Sequence, residues 1–292
     1  MIKIIVNLVK FSVLFAIMVV SYIANAQKLE NTLLWKISGN GIEKPSYLYG
    51  TMHAVCETNI DEAVLSAFDK TSQLYLEIDM DDPSLQATMM SKIMMKDGVT
   101  ISSLVTEEES KQIDQFLKDN IGFSLKMMDN FKPFTLSSMY LPKLLDCPMI
   151  AVDAELMKIS KEQNEEVYGL ETIEDQFNVF DKIPYKVQVE ELVKASKNNL
   201  ASDKEEMVKM LAIYKSENIE EMLTLSKDSN NKMFSEYTDD LLNKRNKNWI
   251  PIIEKVVKLK PTFFAVGAAH LAGEEGVIKL LRKKGYKVEA VK

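Results

Sequence analysis

TFFAVGAAHLAGEEGVIKLLRKKGYKVEAV, residues 262–291, decides the fold. Thr262 to Val266 is a short apolar run rich in β-branched and aromatic side chains that closes on Gly267, as a buried strand does on reaching a turn. A helical pattern follows from Glu274 to Lys284, Gly285 ends it, and Tyr286 to Val291 reads as a second strand. Strand, helix and strand in that order make a βαβ unit. Similar short runs stand at 32–37, 46–49, 73–78, 149–152 and 166–170. Their alternation with helical patterns predicts an α/β fold: a central, mostly parallel or mixed sheet flanked by helices, with sites beyond the carboxyl ends of the strands.

Two helical tracts, at about 83–145 and 185–259, exceed what crossovers need and are expected as insertions forming a lid on a single domain, residues 27–292. In the first, Thr106-Glu107-Glu108-Glu109 has capping-box spacing ahead of Ile113, Phe116 and Leu117 on one helical face. In the second, Ser202 and Glu205 take the same register before the stripe Met207, Met210, Leu211 and Tyr214, and Pro251 is expected to begin or kink the last helix. The methionine pairs at 89–90, 94–95 and 127–128 admit two readings: core filler, or an adaptable apolar surface for varied side chains.

The 292 residues are 46% hydrophobic and 27% charged, a globular composition, and a net charge of −7 gives nucleic acid no electrostatic footprint. Residues 1–26 combine Lys3 and Lys10, an apolar run from Phe11 to Val20 and the ending Ala24-Asn25-Ala26, which reads as a signal peptide cleaved after Ala26. The rival reading, a retained anchor, calls for an apolar span of about 20 residues. The mature chain is then expected to be periplasmic or secreted, and off the membrane. Cys56 and Cys147 are the only cysteines. In an oxidising compartment they read as a disulfide tying the loop after His53 to the segment before Asp153; two buried thiols or a nucleophile are the alternatives.

Only two histidines occur, and each closes the same pattern of apolar strand, glycine, two residues and histidine: Gly50-Thr51-Met52-His53 and Gly267-Ala268-Ala269-His270. A glycine at a strand exit permits close backbone approach, so both imidazoles are expected over one crevice. Two imidazoles need a further ligand to hold a divalent ion, and strand-end carboxylates supply candidates in Glu77 and Glu171. Glu77 has an outward-facing alternative, since Leu76 and Ile78 alternate with it. Arg245 is read either as a clamp for a substrate carboxylate or oxyanion or as a helix-surface arginine. Asp153 is read as a partner that holds a histidine or the arginine, or as a helix N-cap. No phosphate loop, dinucleotide fingerprint or CxxC motif occurs.

The strand into Gly50-Thr51-Met52-His53, the segment Tyr168-Gly169-Leu170-Glu171-Thr172 with Glu174 and Gln176, the Arg245-Asn246 pair before Trp249, and Val266 to Leu271 followed by Gly276, Leu280, Gly285 and Tyr286 together resemble the TraB/GumN family, which includes the Tiki metalloproteases. The resemblance covers residues 30 to 292. It implies a fold like that of the erythromycin esterases and the haem-binding ChaN proteins. It also implies a metal-dependent hydrolase acting on a peptide or protein, with a divalent ion (Zn, Mn or Co) at His53, His270 and Glu77. Glu171 and Arg245 match further motif positions. The alternative is a non-catalytic protein that binds a peptide or haem in the same crevice.

Overall fold

The computed structural model describes residues 28–58 and 60–291; the expected signal peptide lies outside the described residues. Residues 31–291 belong to one compact unit. Six strands, β1 (Leu34–Ser38), β2 (Ser46–Thr51), β3 (Leu74–Ile78), β4 (Val167–Glu171), β5 (Phe263–Gly267) and β6 (Lys287–Ala290), make one sheet in the order β4-β3-β5-β2-β1-β6. The first four of that order run parallel, while β1 pairs antiparallel with both β2 and β6. Every residue of β2 and the first four of β5 are buried, as strands covered on both faces require.

The sheet is flanked by α1 (Glu62–Phe68), α2 (Leu85–Lys92), α3 (Glu107–Ile121), α4 (Leu125–Met128), α5 (Pro133–Tyr140), α6 (Val152–Glu162), α7 (Ile173–Phe180), α8 (Tyr185–Asn198), α9 (Ala201–Lys215), α10 (Ile219–Lys227), α11 (Lys232–Ser235), α12 (Lys244–Val257) and α13 (Val277–Lys283). In 262–291, β5 and β6 point the same way around α13, yet β2 and β1 lie between them, so the crossover skips two strands.

The expected strand at 149–152 is not formed. Ile150 makes a single antiparallel bridge to Val55, and Val152 opens α6, where Val152, Leu156 and Ser160 are buried at i, i+4 and i+8. A four-residue apolar run carries no period, and here its end was the first turn of an amphipathic helix. Beside that bridge Cys56 and Cys147 form the disulfide, with Cα atoms 5.6 Å apart.

In the first insertion Thr106 Oγ1 accepts the Glu109 N–H and the Glu109 carboxylate accepts the Thr106 N–H, completing the capping box of α3. Ile113, Phe116 and Leu117 of α3 pack with Leu125, Leu136, Val189 and Leu192, so the first insertion and α8 share a core of their own. The methionine pairs divide: Met95 and Met128 fill this core, whereas Met89, Met90, Met94 and Met127 stand exposed. One detail of the second insertion differs from expectation. Leu200, left-handed at φ 67°, caps α9 in place of a Ser202 box, because the turn from α8 arrives through Asn199 and Leu200 in left-handed conformations. Pro251 sits inside α12, which continues through it to Val257.

Candidate functional site

The two glycine-histidine turns leave neighbouring parallel strands at one edge, with Gly50 paired to Val266 and Thr51 to Gly267. They also pack on each other. A Cβ on Gly50 would lie 3.0 Å from Leu271 Cδ1 and 3.1 Å from Ala268 Cβ, so a side chain there would force the turns apart. Buried Tyr214, from α9, donates to the Gly50 carbonyl at 3.0 Å and so ties the first turn to the second insertion.

The first turn carries His53 with its side chain 65% exposed. Asp153, buried in the first turn of α6, accepts from His53 Nδ1 at 2.8 Å and from the Thr51 hydroxyl at 2.8 Å. An ionised carboxylate only accepts, so Nδ1 carries the proton and Nε2 is the free atom, without a hydrogen-bond partner among the described residues. The bond to Asp153, with the negative charges of Asp153 and Glu77, raises the imidazole pKa to about 9. Val152 donates its N–H to the Met52 carbonyl at 3.2 Å, which couples the start of α6 to this turn.

His270 has the opposite setting. It is buried, and its ring lies 4.5 Å from that of Trp249. The Asn246 amide nitrogen donates to the His270 and Glu275 carbonyls, which turns the amide oxygen toward His270 Nδ1 at 2.6 Å. Arg245 Nη1 stands 3.1 Å from Nε2, and a guanidinium can only donate. Both contacts therefore demand a neutral ring protonated at Nδ1. Burial, with the positive charges of Arg245 and His53, pushes its pKa down to about 3.

From β3, next to β5 on the side away from β2, comes Glu77, which is buried and faces inward. Its Oε1 accepts the Gly267 N–H at 2.8 Å and lies 3.7 Å from His270 Nε2; its Oε2 accepts from Gln176 of α7 at 3.1 Å and from Arg245 Nη2 at 2.5 Å. Burial alone would raise this carboxyl, but Arg245, the imidazoles and the Gly267 N–H outweigh it and hold the group well below the usual carboxylate range. Glu171, at the end of β4, accepts from Arg245 Nε at 2.9 Å and Nη2 at 2.5 Å and from the Trp249 indole at 3.1 Å.

Arg245 reaches this network from the first turn of α12, directly after a π-helical turn at Asp239–Asn243 whose Leu241 carbonyl accepts from Nη1 at 3.0 Å. Every guanidinium N–H is thus bonded inside the chain, and none is turned to a substrate. The helix-surface reading of Arg245 gives way to a buried tie between Glu77, Glu171 and His270. Asn246 and Trp249 complete the site, and their sequence signal was available: with Arg245 they fall at i, i+1 and i+4 on the buried side of an amphipathic helix, where a polar Asn stands out.

Among the described residues no three His, Cys, Asp or Glu side chains already stand in ligating arrangement. The donor chemistry nevertheless fits a divalent ion. Each imidazole is pinned through Nδ1 to an oxygen of another element, the outer contact that directs Nε2 toward a metal, and an ionised carboxylate adjoins. In the structure the Arg245 guanidinium stands on both His270 Nε2 and Glu77 Oε2.

These features define a class: α/β proteins with paired glycine-histidine turns at the carboxyl edge of a parallel sheet, backed by a buried glutamate-arginine network. The chain belongs to the TraB/PrgY/gumN family, which it matches across residues 33–290. No match was found among curated proteins or among solved structures.

Proposed function

We propose that the protein is an extracytoplasmic hydrolase of peptide bonds, with a divalent ion held by His53 Nε2, His270 Nε2 and Glu77. The observation that carries this reading is the anchoring of both imidazoles through Nδ1, on Asp153 and Asn246, beside one buried carboxylate. A bound ion would supply Lewis acidity to a carbonyl and an acidified water. Asp153 fixes the tautomer of His53 and the direction of its ring. Glu77, where it is not ligating, stands as the acceptor for a proton of the attacking water. The exposed Met89 and Met90 offer an adaptable apolar surface on α2, which packs on α7, the helix that carries Gln176. The signal-peptide reading of residues 1–26 and a disulfide with an exposed Cys56 support a location outside the cytoplasm.

Elemental analysis of the purified mature protein, beside a His53→Ala variant, tests the reading. The expected result is one divalent ion per chain in the wild type, its loss in the variant, and peptide turnover abolished by a chelator. A visible absorption band on titration with haem, with no metal-dependent turnover, would favour the binding-protein alternative.

A further inference from the structure

Arg245 has the bonding of a resident cation. Its Nη2 lies 2.5 Å from Glu77 and its Nη1 lies 3.1 Å from His270 Nε2, so it stands on two of the three groups assigned above to the ion. Its side chain is only 12% exposed, and the Trp249 ring lies 4.9 Å from its Cζ. The remaining bonds, to Glu171 and to the Leu241 carbonyl, do not touch the ion's proposed ligands. They form a second seat in which the guanidinium keeps a carboxylate partner.

We propose that Arg245 is a built-in competitor for the divalent ion: without the ion it neutralises Glu77 and covers His270 Nε2, and when the ion binds it withdraws to Glu171 and Leu241. This rests on the metal-site reading. The physical need is one of charge: Glu77 and Glu171 are both buried, and one guanidinium answers both. A divalent ion would answer the charge of Glu77 more strongly, but only by displacing a cation that is already hydrogen-bonded there. The site is thereby held in shape when empty, at the expense of affinity when full.

The test is Zn²⁺ affinity, measured by competition with a chromophoric chelator for wild type, Arg245→Gln and Arg245→Lys, with tryptophan emission recorded in the same titrations. Removing the competitor is expected to tighten Zn²⁺ binding at least tenfold in Arg245→Gln. Arg245→Lys, which keeps the charge with fewer donors, is expected to fall between. Zn²⁺ should change the emission of the wild type, as the guanidinium shifts against Trp249, and change it less in Arg245→Gln. Should Arg245→Gln fail to fold without Zn²⁺, as judged by circular dichroism, Arg245→Lys carries the comparison. Equal affinity in wild type and the folded variants, or weaker binding in the variants, overturns the competitor role while leaving the metal site standing. Absence of Zn²⁺ and Mn²⁺ binding in every form overturns both.

Discussion

His53 and His270 close the same four-residue pattern on neighbouring strands, yet the protein treats them oppositely. Around His53 the ring is open, its partner is a carboxylate, and its pKa is raised to about 9. Around His270 the ring is buried, its partners are an amide oxygen and a guanidinium, and its pKa is pushed to about 3. The difference arises outside the motif: Asp153 comes from α6, and Arg245, Asn246 and Trp249 come from α12. A repeated backbone device places two equivalent imidazoles, and the helices that pack beside them decide what each can do.

The contrast breaks first where charge is buried. Glu171→Ala leaves the Arg245 Nε and the Trp249 indole without their carboxylate, and loss of one partner from a buried ion network costs about 3–5 kcal/mol. Urea unfolding is expected to show a loss of this size, with His53 still bonded to Asp153.

On the open side the corresponding constraint is covalent. Replacing Cys56 and Cys147 with serine frees a 91-residue separation and is expected to lower stability by about 2–4 kcal/mol. Because the bridge adjoins the Val55–Ile150 pair, this change should also loosen the turn bearing His53 and leave the buried network intact. Amide exchange that rises around Met52–Val55 and stays unchanged around His270 would bear this out.

The smallest effects are those of pH, and the two rings predict opposite signs. The folded pKa of His53 lies above its ordinary value of 6.5, so its contribution to stability is complete below 6.5 and is lost as pH rises through about 9. That of His270 lies below 6.5, so the unfolded chain takes up the proton first and stability falls as pH drops from 6.5 toward 3. Glu77 adds to the acid limb, since its folded pKa lies below the ordinary 4.5. Melting temperatures across pH for Asp153→Asn and His270→Gln should flatten the alkaline limb in the first variant and soften the acid limb in the second.

What the sequence made legible follows the range of the forces involved. Strand ends are local, so the placements of His53, His270, Glu77 and Glu171 at one edge were readable from apolar runs and their closing residues. Asp153 is legible as a partner for a histidine or the arginine, and Gln176 and Asn246 as motif residues, but which atom each one holds is set by tertiary packing that no local period records. The run at 149–152 shows the same limit: four apolar residues without a period predict a strand, and burial makes the last of them the start of a helix. Arg245 was found by its motif, but its role depended on counting the acceptors that surround it in space.

The most direct measurement of the central claim is an NMR titration of the two imidazoles, which are the only ones in the chain. One ring is expected to titrate near 9, and to return toward 6.5 in Asp153→Asn, while the other stays neutral down to about 3. On addition of Zn²⁺ both sets of ring signals should shift together at one equivalent. Two rings titrating alike near 6.5, or Zn²⁺ moving one ring and not the other, would contradict the account.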